Sequence, residues 1–537
     1  MKRIVIYSLL VMASCLLAHG QRPDNYPPQN KNVKIDHTNL PIVWLDVDGV
    51  MILKDERITA RMKIIHNGDG QLNYADTVAH PGQRIDYEGY VALRYRGHSS
   101  FEHSRKPYSF RPLDKPLEEG GTKKKVKILD MGKDNNWALL APYSDQTMAR
   151  DLLARELAHP WMEYVPQGRH CELYLDGIYY GVYILTEVVS KGKHRLNLDD
   201  PGESGDSITG GYLLEIDRYE PPVYISMFNP VNNQGQRYTG RYIYYQYDSP
   251  DYEDMTYDQI TYIRNAVYQM EASFASSDYQ NPVTGYPKYI DVMNFVDYQL
   301  AEELGFNVDA YRLSGKIFKR RDSEDPRFKM VLWDMDLAYG IPYYHSGWRT
   351  DLWSHQLNDT LYAAGDSYLV PFWWYKLNND PAYTAQLKER WAQYRRSNVK
   401  LDKVMAVIDS IAQVLTVEGA INRNSQAWPR WGVYVWPNHY IPQNYDDAIT
   451  YLKQWLTERI AWMDEQLGFD PNSRERGDVN GDYTVSITDV TTLISYLLSR
   501  ETTGVWLDAA DCDQNSAIDI GDVTTLINYL LSGAWHE

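Results

Sequence analysis

A twelve-residue acidic loop and the helix after it occur twice near the C-terminal end, at an offset of 33 residues. Asp478-Val-Asn480-Gly-Asp482-Tyr-Thr484-Val-Ser486-Ile-Thr-Asp489 leads into VTTLISYLLS. Asp511-Cys-Asp513-Gln-Asn515-Ser-Ala517-Ile-Asp519-Ile-Gly-Asp522 leads into VTTLINYLLS. Oxygen side chains at loop positions 1, 3, 5 and 12, with a backbone carbonyl at position 7, describe a calcium loop. One ion would be held by Asp478, Asn480, Asp482, the Thr484 carbonyl and Asp489. The other would be held by Asp511, Asp513, Asn515, the Ala517 carbonyl and Asp522. Position 9, Ser486 or Asp519, would act through water. Tyr483 and Ser516 replace the usual Gly at position 6, and Asp replaces the bidentate Glu at position 12, so weaker affinity or an altered turn is expected. A coincidental Asp-rich helical hairpin is the bland alternative, and the nearly identical decapeptides speak against it. The tail is therefore a small all-α unit, and most of the 537 residues must build their core elsewhere.

The formal net charge of −18 argues against nucleic acid as a partner, because that affinity rests on Lys and Arg meeting phosphates. Lys2 and Arg3, the apolar run Ile4 to Leu17 and Ala18-His19-Gly20 read as a secretory signal over 1–20, cleaved near Gly20/Gln21. A lipid attachment at Cys15 is a poorer fit, with Met12 at the first position of the box. No later stretch is long and apolar enough to span a membrane. Cleavage would leave Cys171 and Cys512, in different expected domains, so a disulfide framework is not expected.

Residues 21–36, rich in Pro, Asn and charge, read as a linker. From Leu40 the pattern turns to strands, with Asn67-Gly68-Asp69-Gly70 between two of them and Asp46 and Asp48 in a turn. Cys171 to Val189 reads as a hairpin about Asp176-Gly177. Trp137 to Leu157 contains a helix with Asp145 as its N-cap. Residues 219–290 are read as an insertion or substrate-facing lobe with one helix, Tyr257 to Phe274. Asp291 to Leu304 is an amphipathic helix stopped by Gly305. Residues 342–468 are mostly helical and end with Asp446 to Leu467 and Gly468; 469–477 is a second linker.

Chemistry concentrates in two places. In YVALRYRGHSSFEHSRKPYSFRPL, a small polar loop after Arg96 lets backbone N–H groups approach an anion, and Lys106 lies just beyond; a loop with a surface lysine is the commoner meaning. In NVDAYRLSGKIFKRRDSEDPRFKMVLWDMDLAYG, Asp309 follows a helix, and a short two-stranded turn brings Asp334 and Asp336 back towards it. Residues two apart on an extended segment share a face, so both carboxylates are able to serve one cation. Asp309 and Ser314 have the separation of a base and a metal-binding side chain in one loop of a kinase-type site. An Asp-rich turn capping Leu337 and Ala338 is the plain structural alternative. Glu187 ends a strand, as a lysine's partner or as an edge charge.

The tail, residues 478–533, resembles a type I dockerin module. That resemblance implies two Ca2+ ions, a cohesin module of a scaffold protein as partner, two near-equivalent binding orientations, and a recognition face near Thr488, Val490, Thr491, Gly521, Val523 and Thr524. Many dockerin-bearing proteins belong to the cellulosome-type systems of polysaccharide-degrading bacteria. From about Leu40 to Leu467 the chain resembles the CotH (spore coat protein H) kinase family, through the two stretches above, WALLAPYSDQTMARDLLARELA and ELYLDGIYYGVYILTEVV. The resemblance implies an α+β, atypical protein-kinase-like domain using ATP with Mg2+ or Mn2+. It makes Asp309 the catalytic base, Asp336 with Asp334 the metal ligands, and Lys106, Arg96, Glu187 and Ser314 the nucleotide-site residues. Ser314 stands where other members often have Asn. No Walker-A or GxGxxG phosphate loop is present.

Two functions follow as expectations. One is a secreted, scaffold-tethered phosphotransferase acting on a protein or glycan acceptor. The other is a catalytically inactive or carbohydrate-directed subunit, whose aromatic residues in 342–445 bind glycan.

Overall fold

The computed structural model describes residues 25–471 and 474–535. The expected signal segment, its cleavage point and Cys15 lie outside those residues. Among the described residues no single helix is long and apolar enough to cross a membrane.

Seven strands close into a barrel: β1 (Ile42–Asp46), β2 (Ile58–Ile65), β3 (Ile85–Tyr95), β4 (Tyr108–Leu113), β5 (Trp137–Leu140), β6 (Gly168–Leu175) and β7 (Ile178–Glu187). All neighbours are antiparallel except β6 and β1. Val91, Leu93 and Tyr95 of β3 and Tyr108 and Phe110 of β4 fill the barrel at the period of two that a one-sided strand requires. The β6–β7 hairpin turns at Asp176 and Gly177, whose φ values of 47° and 76° are both positive, as a type I′ connection demands. The stretch expected as a linker is packed from Asn25 onward. Val33 and Ile35 enter the barrel core, and the Ile35 N–H donates to Tyr174 Oη at 2.8 Å.

A second, antiparallel sheet has the order β9-β10-β8-β11-β12, from β8 (Tyr212–Ile216), β9 (Val223–Ile225), β10 (Tyr244–Ser249), β11 (Gly315–Lys319) and β12 (Phe328–Val331). Residues 219–290 are thus no detached insertion. They supply β9, β10 and a helix, because Tyr245, Ile263, Val267, Met270 and Phe274 are needed in the main core.

The main helices are α1 (Arg150–Ala158), α2 (Tyr257–Ala275), α3 (Val292–Gly305), α4 (Pro381–Arg396), α5 (Leu401–Thr416) and α6 (Tyr445–Leu467). Asp145 does not cap α1, which starts after Ala149; its carboxylate instead accepts the Thr147 and Arg150 N–H groups and orders the approach loop. Gly305 does not stop α3 but belongs to it. A Cβ there would lie 2.8 Å from Met335 Cε and 3.1 Å from Ala338 Cβ, so the glycine serves close packing, and Phe306 takes the left-handed position at φ 41°. Towards the C-terminus, α7 (Ile487–Ser499) and α8 (Ile520–Ser532) enclose their own small core of Val479, Val490, Leu493, Ala510, Cys512, Val523 and Leu526. Cys171 and Cys512 are both free and buried.

Candidate functional site

A cleft of about 890 Å³ separates the barrel from the second sheet. The alternation that turns Leu93 and Tyr95 inward turns Arg94 and Arg96 outward, and Ser109 and Arg111 of β4 do the same beside them. Arg57 lies behind this wall and donates to the Ala92 and Ser109 carbonyls at 3.0 and 3.1 Å. None of these four arginines forms an ion pair among the described residues. Burial and the neighbouring guanidinium groups push Arg57 down to about 9, and lower Arg111 as well. Like charges left together in a half-buried wall are a standing demand for an anion, and the guanidinium fork matches phosphate oxygens. The opposite wall is acidic, with Glu215, Asp217 and Asp248. Lys316 ties Glu215 to Asp248 at 2.7 and 2.8 Å.

Arg96, which lines the cleft, also lies 5.4 Å from the Trp333 ring centroid and within electrostatic reach of Asp334. Asp334 Oδ2 accepts from Ser314 Oγ at 3.0 Å. Asp309 enters from the loop after α3. Asn307 Oδ1 accepts its N–H at 3.1 Å, while Asn307 Nδ2 donates to Glu302 Oε2 at 3.0 Å and reaches the Asp334 carbonyl at 3.5 Å. One amide thus spans the Asp309 loop and the Asp334 turn. Arg312 Nη2 pairs with Asp309 at 2.7 Å and is itself anchored on Asp366 at 2.9 Å. A fourth carboxylate comes from Asp151 in the first turn of α1, whose Oδ1 accepts the Met335 N–H at 3.4 Å and which pairs with Arg155 at 2.5 Å.

Burial comes first in raising the Asp336 carboxyl well above the usual carboxylate range, followed by the charges of Asp334, Asp151 and Asp309. Burial raises Asp334 too, against the Ser314 bond and Arg96. Asp336 has no hydrogen bond or ion pair among the described residues. An unpartnered carboxylate amid like charges fits a hard divalent cation, which would reverse the local penalty. No three carboxylate oxygens of this group lie within 4.8 Å of one another. The set is thus more open than an all-protein cage, as suits Mg2+, which keeps water and takes phosphate oxygens as ligands.

Two expected nucleotide contacts sit elsewhere. Lys106 is buried at the barrel rim, its Nζ donating to the Phe101 carbonyl and lying 4.1 and 4.5 Å from the Tyr26 and Phe101 ring centroids. It faces aromatic rings and not the cleft, and it is not the partner of Glu187. Glu187 is buried against Arg195 at 2.6 Å and accepts from the Gln167 N–H at 3.1 Å. Arg94, Arg111 and Asp151 were not anticipated. The R-x-R and S-x-R alternation carried a signal for the arginines; nothing local singled out Asp151.

The two calcium loops share one hydrogen-bond pattern. The position 1 carboxylate accepts the position 6 N–H, Asp478 from Tyr483 at 3.0 Å and Asp511 from Ser516 at 2.9 Å. The position 12 carboxylate accepts from positions 3 and 9, Asp489 from Asn480 and Ser486 and Asp522 from Asp513 and Asp519. Tyr483 and Ser516 both adopt φ 69°, so position 6 keeps the left-handed turn without glycine. Asp511, Asp513 and Asp522 bring oxygens within 4.8 Å of one another, and Asp478 Oδ1 is buried with no partner. Both features fit Ca2+. On the recognition face, Thr488, Thr491 and Thr524 are exposed and Gly521 is half-buried. Val490 and Val523 are not surface contacts: at 3% and 4% exposed they belong to the small core. On α7 and α8 the large apolar side chains that do face outward come in pairs 33 residues apart, Ile487 with Ile520, Ile494 with Ile527 and Leu498 with Leu531.

The family model for CotH kinase protein matches residues 93–463, and the model for the dockerin type I domain matches residues 476–531. No curated protein matches the chain. The first match takes in Arg94, Arg96 and Arg111, the facing sheet and all four central carboxylates and covers more than half of the sequence: the chain belongs to the CotH kinase protein family and carries a C-terminal type I dockerin domain.

Proposed function

We propose that the protein transfers the γ-phosphoryl group of ATP to a hydroxyl acceptor, and that its calcium-loaded dockerin tethers it to a cohesin on an extracellular scaffold. The observation that carries the reading is one cleft with Arg94, Arg96 and Arg111, none of them ion-paired among the described residues, on its barrel wall and Glu215, Asp217 and Asp248 on the facing sheet, with Asp334 within electrostatic reach of Arg96. Phosphoryl transfer asks a protein mainly for position and charge, and this pairing supplies both. Arg94, Arg96 and Arg111 hold phosphate oxygens along the barrel wall. Asp334 and Asp336 would hold a Mg2+ or Mn2+ ion, which when bound neutralises charge on the transferred group. Asp309 orients the acceptor hydroxyl and takes its proton, and Arg312 beside it fixes that carboxylate in place. The basic segment and apolar run of 1–20 support export by a cleaved signal.

Incubation with γ-labelled ATP and Mg2+ tests the reading. Asp309→Asn is expected to abolish label transfer while leaving Mg·ATP binding within about threefold, since Asp309 acts on the acceptor. Transfer that persists at the wild-type rate would remove Asp309 from the mechanism. Absence of Mg·ATP binding to the wild-type chain would remove the phosphotransferase reading altogether.

A further inference from the structure

We propose that an aromatic shelf near Asp309, formed by Tyr343, Tyr344 and Trp436, binds a saccharide whose hydroxyl is the phosphate acceptor. The proposal rests on the phosphotransferase reading and names its acceptor class.

The shelf is built by two chain segments zipped together. The Tyr343 N–H donates to the Pro437 carbonyl at 2.9 Å, and the His439 N–H donates to the Ile341 carbonyl at 2.7 Å. This pairing sets the Tyr344 and Trp436 rings nearly parallel, 21° apart with centroids 6.0 Å from each other, and Tyr343 meets Tyr344 edge-on, at 6.0 Å and 85°. The inner end is Tyr344. His345, next in the chain, lies 3.5 Å from Asp366, and Asp366 shares Arg312 with Asp309, which sets this end of the shelf towards the proposed base. The outer end is open: Tyr343 and Trp436 are 51% and 42% exposed. Single exposed aromatics are ordinary, whereas a connected set leading to a reactive carboxylate is a binding surface.

The chemistry of the shelf selects its ligand. An anionic ligand would meet Asp309 and Asp336. A basic peptide would need free carboxylates along its path, and Asp309 and Asp366 are both engaged by Arg312. What remains on offer is the exposed π surface of Tyr343 and Trp436, edged by phenol hydroxyls. A neutral sugar matches it, with polarised C–H groups on a face of its ring against the electron-rich aromatic faces and hydroxyls around its rim. In the transfer step the sugar oxygen forms a new bond to the γ-phosphorus of a nucleoside triphosphate. The bond from that phosphorus to the β–γ bridging oxygen breaks, the nucleoside diphosphate leaves with the electron pair, and the hydroxyl proton passes to Asp309.

Calorimetric titration of the full chain with cellohexaose, xylohexaose and mannohexaose, alongside Mg·ATP, tests the shelf. At least one hexasaccharide is expected to bind. Trp436→Ala and Tyr343→Ala are each expected to weaken it at least tenfold with the Mg·ATP isotherm and melting temperature unchanged. Binding of none of the three sugars, or binding that both variants leave intact, overturns the shelf even where Mg·ATP binds normally. Saccharide binding that tracks the shelf in a chain that fails to bind Mg·ATP overturns the phosphotransferase reading and, with it, the acceptor role.

Discussion

Ser314 Oγ donates to Asp334 Oδ2 at 3.0 Å, and both residues hold left-handed backbone, at φ 52° and 63°. Non-glycine residues pay about 1–2 kcal/mol each for that conformation. Two of them meeting at the ends of the β11–β12 hairpin mark a place where the fold tolerates strain to aim a carboxylate.

Removing the hydroxyl tests how much that aim matters. A hydrogen bond to a charged group contributes about 1.5–3 kcal/mol, so Ser314→Ala is expected to weaken Mg2+-dependent nucleotide binding by about tenfold or more. Ser314→Thr, which keeps the donor, should recover most of it. Calorimetry at fixed pH reads both, and equal affinities for all three proteins would show that the bond is incidental.

The buried Glu302 beneath Asn307 makes a pH-dependent contribution whose sign is fixed. Burial lifts its carboxyl to about 8, against the bonds from Asn307 and Tyr298. An unfolded glutamate titrates near ~4.3, so between the two values the folded chain binds the extra proton. Stability therefore falls as pH rises through that window and is fully retained below it. Glu302→Gln is expected to flatten the decline in melting temperature from pH 5 to 8. The flattening is partial, because Glu271, lifted to about 7 by burial, adds the same slope. A profile as steep in the variant as in the wild type contradicts the assignment.

What was legible in the sequence was whatever local periodicity could encode. The Asp176-Gly177 hairpin, the helix that delivers Asp309 and the two acidic loops all declare themselves within a dozen residues. The arrangement of the arginine wall is only half visible. Arg94 and Arg111 show as outward members of alternating strands, but that their face meets the second sheet depends on closure of the barrel. The setting of Lys106 is not legible locally, because its neighbour Tyr26 lies far upstream, in a stretch that reads as linker. Asp151 joins Asp334 and Asp336 only because α1 packs beneath the turn that carries them. Val490 and Val523 were readable as core: with Leu493 or Leu526 they follow helical spacing, and Ile487, Ile494 and Leu498 fall on the other face.

The unpaired arginines predict a graded loss. Each guanidinium that exchanges water for phosphate in a half-buried wall contributes about 1.5–3 kcal/mol. Arg94→Gln and Arg111→Gln are expected to weaken Mg·ATP binding about tenfold or more each, whereas Lys106→Gln acts on barrel stability and leaves nucleotide affinity nearly unchanged. Because burial and like charges destabilise the folded wall, Arg111→Gln should also raise the melting temperature of the nucleotide-free protein. A large affinity loss confined to Lys106→Gln would reverse the placement of the phosphate site.

The dockerin makes the sharpest prediction about binding to a partner. Its two exposed apolar stripes, anchored by Ile487 and Ile520, are 65% and 69% exposed at their first positions and recur at the same offset as the calcium loops. A cohesin that accepts either helix should tolerate the loss of one. Ile487→Asp and Ile520→Asp are each expected to leave cohesin affinity within about threefold, a cost near 0.7 kcal/mol or less. The double variant should bind at least a hundredfold more weakly. Removing calcium with a chelator is expected to abolish binding by a different route. The small core cannot hold the loops once Asp478 and Asp522 lose the ion that offsets their burial, and the tail should lose helical signal while the larger domain keeps its melting temperature. A full hundredfold loss from Ile487→Asp alone would mean that one helix does all the binding and the duplication serves calcium only.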